Sequence, residues 1–252
     1  MTQQERQALI LKKVQQSGFV TIDELVDHFK VTPQTVRRDL NQLAKVQKIS
    51  RLHGGATIES STMNTDYQAR KIMNLVAKEK IAAELVSMIP DGSSLFINIG
   101  TTTETIARAL LKHKGLQIVT NNLNVASILG AKEDFSVVIA GGEVRHRDGG
   151  VIGETTEEFI KKFRMDFGII GISGIDLEGS LLDFDYREVR VAQAIIANSR
   201  QVLLAADHSK FGRNAMVRLG NIDQANHFFT DALPPAEIQQ ILIDHQVQLH
   251  IV

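Results

Sequence analysis

The stretch that decides the fold is residues 29–40, FKVTPQTVRRDL, close to the amino terminus. Thr32 is typical of a helix N-cap, and Pro33 suits the first helical position, where its missing N–H costs nothing. Val36 and Leu40 are spaced so that their apolar side chains lie on one face of this helix. Because the opposite face is polar and basic, the stretch predicts an amphipathic helix that packs on a core and leaves a charged surface outside.

Two further helices and a hairpin are predicted around this helix. The capping boxes TQQE (residues 2–5) and TIDE (residues 21–24) each predict a helix start. Residues 49–57 contain a Gly-Gly pair and are typical of a β-hairpin or wing. Two helices joined by a short turn, the second with a basic outer face, favour a helix-turn-helix. We therefore expect a winged helix-turn-helix domain over residues 1–57.

The charge of the chain is distributed unevenly. Residues 1–57 hold nine lysines and arginines and five acidic residues, so this head carries a charge of +4 and the remaining residues carry −5. A basic head on an acidic body is typical of a protein whose head meets a polyanion. A +4 segment is also common by chance, so the charge supports the helix-turn-helix prediction and does not make it alone.

The outer face of the predicted helix carries side chains that suit the DNA major groove. Arginine can bind guanine bidentately, glutamine or asparagine can bind adenine, and arginine and threonine also bind phosphates. The alternative is that Arg37 and Arg38 form an ordinary solvated face, partly neutralised by Asp39. The predicted DNA-binding residues are Thr32, Gln34, Thr35, Arg37, Arg38, Asn41 and, on the wing, Arg51 and His53.

An α/β body follows the head. Residues 58–65 are polar and predict a linker, and a helix of roughly two dozen residues is expected before Pro90. We place the linker and the start of this helix at 58–75 and a sensor domain at 76–252. Strand-like apolar runs then alternate with helical segments, which predicts a mainly parallel sheet covered by helices. The runs are 95–99, 116–120, 137–140, 167–172, 202–206, 227–230 and 247–252.

Polar motifs follow several of these predicted strands. Gly100, Thr101, Thr102 and Thr103 lie between a strand and a helix, where hydroxyls and free N–H groups suit a phosphate. The same turn is also compatible with an ordinary N-cap. Ligands of open α/β sheets bind outside the carboxyl ends of the strands, so similar motifs after other strands favour a phosphorylated ligand.

Several classes of protein and site are disfavoured. The sequence contains no cysteine, so disulfides and thiolate zinc sites are excluded and a cytoplasmic location is expected. No apolar run approaches the length of a membrane helix, and the polar amino terminus lacks the core of a signal peptide. The histidines lack metal-ligand spacing, so we expect neither a metal nor another cofactor.

The sequence resembles the DeoR family of bacterial regulators over nearly its whole length. The resemblance rests on residues 29–40, on RLHGGA at 51–56 and on strand-end motifs of the body. These are NIGTT at 98–102, TNN at 120–122, AGG at 140–142, GISGID at 171–176 and DHSKFG at 207–212. Asn98 is a departure, since many relatives carry an acidic residue there, and its role is left open.

The resemblance implies a repressor of sugar or glycerol catabolic genes that binds double-stranded operator DNA as a dimer or tetramer. It further implies a sensor similar to the ribose-5-phosphate isomerase fold. The effector expected from it is a small sugar or polyol phosphate, specifically glycerol 3-phosphate. The implied ligand-binding residues are Gly100, Thr101, Thr102, Thr103, Asn121, Gly142, Asp148, Asp176 and the countercharge Lys210.

An enzyme is the main alternative, because sugar-phosphate isomerases share this kind of body. Their proton transfer needs a positioned carboxylate base, supplied by an Asp-Gly-Ala-Asp stretch after a central strand. The comparable stretch here is residues 171–174, GISG, which has no carboxylate. A sugar-phosphate isomerase-like enzyme with a DNA-binding head therefore stays the second hypothesis.

Overall fold

A computed structural model describes residues 1–17, 19–46, 48–52, 54–57 and 64–252, without the side chains of 15–17, 50, 52 and 57. Contacts divide the chain into two compact units, Met1–Asn74 and Leu75–Val252. The predicted wing residue His53 and most of the predicted linker lie outside the described residues. No helix in the described ranges has the length and apolar character needed to cross a bilayer.

The first unit has the predicted helices and wing. Thr21 accepts a hydrogen bond from the Glu24 N–H at 3.0 Å, and the Glu24 carboxylate accepts one from the Thr21 N–H at 2.8 Å. This reciprocal capping box begins the second helix, and Thr32 caps the third by accepting from the Thr35 N–H at 3.2 Å. The elements are α1 (Gln3–Ser17), β1 (Phe19–Thr21), α2 (Ile22–Phe29), α3 (Pro33–Lys45), β2 (Ser50–Leu52) and β3 (Gly55–Thr57).

The wing is a three-stranded antiparallel sheet in the order β1-β3-β2. A Cβ at Gly55 would lie 2.3 Å from the Val20 carbonyl oxygen, so only glycine lets β3 approach β1 this closely. The inner face of α3 is buried at Val36, Leu40 and Leu43, as its spacing predicts. Because α3 packs on this small core with one face, its other face is exposed to solvent.

The prediction of one long helix before Pro90 is wrong. The structure has two helices there, α4 (Tyr67–Ile72) and α5 (Leu75–Ser87). Met73 has an extended backbone at the end of α4, and Asn74 has a φ of 52° in the left-handed region. Asparagine tolerates this conformation better than most residues, and it interrupts the helical hydrogen bonding. The interruption coincides with the end of the first unit at Asn74.

The second unit is built on a seven-stranded sheet in which every pair of neighbouring strands is parallel. All seven predicted apolar runs fall in this sheet. The strands are β4 (Ser94–Ile97), β5 (Gln117–Thr120), β6 (Ser136–Ile139), β9 (Met165–Gly171), β12 (Ser199–Ala205), β14 (His227–Thr230) and β15 (Gln248–Ile251). Their order in the sheet is β15-β14-β12-β9-β4-β5-β6.

Helices cover both faces of the sheet. Leu95 and Ile97 belong to one core cluster and Phe96 to the other, since successive side chains of a strand point to opposite faces. The Leu95 cluster includes α5, α6 (Thr101–Leu110) and α7 (Leu123–Leu129). The Phe96 cluster includes α8 (Glu154–Ile160), α9 (Tyr186–Ala197) and α10 (Ala236–Asp244).

Shorter antiparallel strands occupy the connections of the body. The strands β7 (Glu143–Arg145) and β8 (Gly150–Ile152) form a hairpin. The strands β10 (Gly174–Ile175), β11 (Ser180–Asp183) and β13 (Val217–Asn221) form a separate sheet. A Cβ at Gly150 would lie 2.6 Å from the Ile99 side chain, so the β7–β8 hairpin packs closely on the segment that follows β4.

The order of the strands defines a switch point in the sheet. From β4 the chain proceeds outward through β5 to β6, and it then returns to β9 on the other side of β4 and proceeds outward again. The direction in which successive strands are added to the sheet therefore reverses between β4 and β9, although the strands themselves stay parallel. A crevice opens outside the carboxyl ends of the strands at such a switch point, and ligands bind there.

Candidate functional site

The outer face of α3 is one open concave surface. It brings together six of the predicted DNA-binding residues and adds two that the sequence reasoning did not name, Gln42 and Lys45. Gln42 accepts hydrogen bonds from Gln3 and Gln7 of α1, whereas Lys45 is exposed in the last turn. The surface is lined by Thr32, Gln34, Thr35, Arg37, Arg38, Asn41, Gln42 and Lys45.

Asp39 does not neutralise this surface. Its side chain is fully buried against α1, where Oδ2 accepts from Arg6 Nε at 2.5 Å and Oδ1 accepts from Gln3 Nε2 at 3.0 Å. Arg37 and Arg38 are exposed on the opposite side of α3. The alternative in which Asp39 offsets their charge is therefore wrong, because Asp39 pairs with Arg6 on the inner side of the helix.

Arg51 in β2 adds a further positive charge near α3. Its Nη1 atom is buried and has no hydrogen-bond acceptor among the described residues. Burial and, after it, the positive charge of Arg37 lower the pKa of Arg51. A nearby anion would stabilise two guanidinium groups that repel each other.

The predicted phosphate turn lies at the carboxyl end of β4, on the switch point. Gly100 has a φ of 148°, a conformation that favours glycine, and it is the N-cap of α6. The Thr103 hydroxyl lies 2.8 Å from the Asn98 carbonyl oxygen and 2.7 Å from that of Gly100, which holds the turn in shape. Thr101, Thr102 and Thr103 are all buried by the surrounding protein.

A buried lysine meets this turn, and the sequence reasoning missed it. Lys78 in α5 is only 3% exposed, and its Nζ donates to the Thr101 hydroxyl at 3.1 Å. The spacing of Lys78 from the buried residues Ile81, Ala82 and Leu85 puts it on the inner face of α5. A lysine at an inner helical position was the signal that could have identified it.

Buried amide groups lie at the ends of β4 and β5. Asn98 Oδ1, Asn121 Oδ1 and Asn122 Nδ2 are buried and have no hydrogen-bond partner among the described residues. Ile97 pairs with Thr120 in the sheet register, so Asn98 and Asn121 follow neighbouring strand ends. Buried polar atoms without a partner are costly, and ligand hydroxyls are one way to satisfy them.

Asp148 is part of a buried ionic cluster. Both of its oxygens accept from Arg145 at 2.8 Å, and Arg145 also donates to Asp185 at 3.0 Å and to Glu188 at 2.6 Å. Asn124 links this cluster to the phosphate turn, since its Nδ2 donates to the Asp148 carbonyl oxygen and to the Glu104 carboxylate. Asp148 therefore shapes the β7–β8 connection next to the predicted pocket.

The charges of this cluster affect one another strongly. Burial lowers the pKa of Arg145, but the Glu188 and Asp148 carboxylates outweigh burial, so the pKa rises and the guanidinium stays charged. The pKa of Glu188 is raised to about 7, first by burial and then by the charge of Asp183, while Arg145 opposes the increase. Burial also acts on Asp185, but hydrogen bonds from Arg187 N–H and from Arg145 keep its pKa below the usual range.

The remaining predicted ligand residues lie in other connections. Asp176 Oδ1 accepts from the N–H groups of Glu178 at 3.0 Å and Ser180 at 2.7 Å, which stabilises the turn between β10 and β11. A Cβ at Gly142 would lie 2.0 Å from the Thr156 hydroxyl, so this glycine permits close packing. Lys210 is half-buried and ends a short 3-10 helix, His208–Lys210, after β12. Their roles in ligand binding stay predictions.

Comparison with known proteins places both parts of the chain. A family model for the DeoR-like helix-turn-helix domain matches residues 6–62, and one for the DeoR C-terminal sensor domain matches residues 73–232. The chain is 56% identical to the glycerol-3-phosphate regulon repressor of Escherichia coli, covering 100% of both chains. It is 54% identical to the protein of the same name from Haemophilus influenzae, covering 93% of this chain and 91% of that protein.

A more distant relative and a solved structure complete the comparison. The HTH-type transcriptional repressor CsqR of Escherichia coli is 40% identical over 99% of this chain and 95% of its own length. Ribose 5-phosphate isomerase A of Methanocaldococcus jannaschii aligns with a TM-score of 0.41 and 14% identity, covering 55% of each chain. The family models and the full-length similarity show that the chain belongs to the DeoR family of helix-turn-helix transcriptional regulators.

Proposed function

We propose that this protein represses genes of glycerol or sugar catabolism and leaves its operator when it binds a small phosphorylated metabolite, glycerol 3-phosphate. One observation carries the proposal: a single chain combines an exposed cationic helix face with a buried phosphate turn at the switch point of a parallel sheet. The names of the two relatives that are more than half identical support the choice of effector. Because its target is DNA, we expect the protein in the cytoplasm.

The effector phosphate is proposed to bind Gly100, Thr101, Thr102 and Thr103, where backbone N–H groups of the first turn of α6 are available. Lys210 is proposed as a countercharge from the other side of the switch point. Strand β12 is separated from β4 by β9, so the two loops are about 10 Å apart at the strand spacing of parallel sheets. A ligand with a short carbon chain spans that distance together with a lysine side chain.

Replacing Lys210 by alanine is expected to weaken glycerol 3-phosphate binding about tenfold while operator binding stays as in the wild type. The loss corresponds to one charge-assisted hydrogen bond from a half-buried side chain. Calorimetry with glycerol 3-phosphate and fluorescence anisotropy with labelled operator DNA measure the two affinities. Lys162→Ala, which removes an exposed lysine from another part of the body, is the control. Unchanged ligand affinity in Lys210→Ala would remove Lys210 from the pocket.

The enzyme hypothesis is tested with the same purified protein. The proposed regulator binds glycerol 3-phosphate more tightly than glycerol, inorganic phosphate or ribose 5-phosphate in a thermal-shift panel. It does not convert ribose 5-phosphate to ribulose 5-phosphate. Turnover at ordinary enzyme rates, of the order of 1–1,000 per second, would instead support the isomerase hypothesis.

A homo-oligomer is proposed because helix-turn-helix proteins pair two heads on two half-sites of an operator. The edge strand β6 offers a surface for a second copy. Val138 and Ile139 there, and Val144 in the adjacent β7, are 36–50% exposed. An exposed apolar sheet edge is a site of association unless it is covered.

Ile139→Lys is therefore expected to convert a dimer or tetramer into a smaller species in light scattering at micromolar concentration. Operator affinity should fall with it, because one head alone makes few base contacts. Ile243→Lys, at a more exposed apolar position on α10, is the matched control and should keep the assembly. A wild-type protein that is monomeric and still binds operator tightly contradicts the proposal.

A further inference from the structure

We infer that Gln42 donates to a backbone phosphate of the operator DNA and that α1 holds its amide in the orientation that this contact needs. This inference rests on the proposed function, since it assumes that the outer face of α3 binds DNA. Its basis is a chain of hydrogen bonds that begins at the buried carboxylate of Asp39 and ends at the amide of Gln42 on the outer face of α3.

The Asp39 carboxylate sets the orientation of two glutamine amides in α1. A carboxylate paired with an arginine only accepts hydrogen bonds, so the groups that face it are donors. Asp39 Oδ1 accepts from Gln3 Nε2 at 3.0 Å and from Gln7 Nε2 at 3.3 Å. Its other oxygen accepts from Arg6. Both glutamines therefore direct their NH2 groups toward α3.

The same two NH2 groups fix the amide of Gln42. Its Oε1 accepts from Gln3 Nε2 at 2.9 Å and from Gln7 Nε2 at 2.7 Å. A carbonyl oxygen has two lone pairs, so both are in use. A half turn of the amide would bring its own NH2 group against two other donors and lose both hydrogen bonds. Gln42 is exposed on the outer surface of α3 and therefore presents only N–H donors to DNA.

A side chain that only donates selects a partner that only accepts. Glutamine reads adenine with a donor to N7 and an acceptor from N6, and Gln42 has no acceptor left for that contact. Phosphate oxygens accept, and they are the commonest hydrogen-bond partners of proteins on DNA. The amide of Gln42 thus fits the DNA backbone and not an adenine edge.

The position of Gln42 along α3 agrees with a backbone contact. Guanine also presents acceptors in the major groove, but base edges are contacted mainly by the first residues of a recognition helix. Gln42 is near the end of α3, one turn after Arg38 and one turn before Lys45. These three side chains form a row of donors along one side of the helix, which suits successive phosphates of one strand.

The test compares Gln42→Met with Gln4→Met in the full-length protein. Methionine keeps the length of glutamine but has no N–H donor, and Gln4 is an exposed glutamine of α1. We expect Gln42→Met to bind operator DNA about tenfold more weakly in fluorescence anisotropy, and a duplex of unrelated sequence more weakly by the same factor. The salt dependence should stay as in the wild type, because a neutral amide releases no counterion. Gln4→Met should match the wild type.

Operator DNA in which one phosphate at a time is replaced by a neutral methylphosphonate locates the contact. At one position the replacement should weaken binding of the wild type and have no further effect on Gln42→Met. Replacing Gln3 and Gln7 together by alanine frees the Gln42 amide to rotate, so sensitivity at that position should be smaller than in the wild type.

Wild-type operator affinity in Gln42→Met overturns the inference and leaves the proposed function intact. A loss confined to one base pair of the operator does the same, as does a Gln42→Met protein that responds to every methylphosphonate as the wild type does. If the wild-type protein itself binds no operator DNA, the inference and the proposed function are both overturned.

Discussion

Replacing Arg37 and Arg38 together by alanine is expected to weaken operator binding by about 30-fold to 30,000-fold, at about 1–3 kcal/mol for each arginine. Both side chains are exposed on the concave face of α3, and Asp39 does not offset their charge because it is bound to Arg6. The core face of α3 is unchanged by the substitution, so the head should keep its fold. Fluorescence anisotropy with labelled operator DNA measures the loss.

The single variants separate the two kinds of contact. If an arginine binds a guanine edge, its loss relaxes specificity at one base pair. If it binds a phosphate, affinity falls for every sequence and the salt dependence becomes shallower by about one charge. Lys12→Ala, at an exposed position on α1, is the control for a change in the net charge of the head. Wild-type operator affinity in the double variant would show that α3 is not the reading helix.

The substitution Arg145→Met should destabilise the body by about 3–5 kcal/mol at neutral pH, the usual cost of leaving buried charges without their partner. Arg145 donates to three carboxylates, those of Asp148, Asp185 and Glu188. Methionine fills much of the volume, so the loss is mainly electrostatic. Arg200→Met is the control, because this exposed arginine pairs at the surface with Asp166 and should cost at most about 1 kcal/mol.

The destabilisation should grow as the pH rises. Burial and the charge of Asp183 raise the pKa of Glu188 to about 7 even with Arg145 present, and without Arg145 the carboxylates of the cluster lose their stabilising charge. A folded-state pKa above the unfolded value stabilises the protein at low pH and loses that effect as the pH rises through the folded value. Urea unfolding of both proteins at pH 5 and pH 8 measures this. An equal difference at both pH values would contradict the electrostatic explanation.

The head was predictable because its signals are local. Capping boxes, a proline after Thr32 and the spacing of Val36 and Leu40 are contained within one helix each, and the structure confirms the helices that they predict. Asp39 shows the limit of such signals. It lies beside Arg38 in sequence, but the helical turn directs its side chain toward α1, and only the packing of two helices reveals Arg6 as its partner.

The parallel sheet was predictable as a class but not in its order. Apolar runs alternating with helices indicate parallel strands, yet nothing in residues 94–97 states that β4 lies between β5 and β9. The break at Asn74 was missed because its neighbours continue a helical pattern, and the left-handed backbone of one residue has only a weak sequence signature.

The candidate ligand site was predictable only where its sequence signals are local. Strand-end motifs such as Gly100 to Thr103 are visible in sequence because glycine and threonine have local roles. Lys78 and Arg145 are not, because Lys78 is 23 residues from Thr101 and Arg145 is 43 residues from Glu188. Their chemistry depends on long-range packing that brings each charge into a buried position.

The most direct test of the account is to measure operator affinity with and without glycerol 3-phosphate, and glycerol 3-phosphate affinity with and without operator DNA. An effector releases DNA only if it binds the DNA-free arrangement better than the DNA-bound one. We expect glycerol 3-phosphate to weaken operator binding about 5- to 150-fold, and operator DNA to weaken glycerol 3-phosphate binding by the same factor. If glycerol 3-phosphate binds and neither affinity changes, the two sites are not coupled and the account of an effector-controlled repressor is wrong.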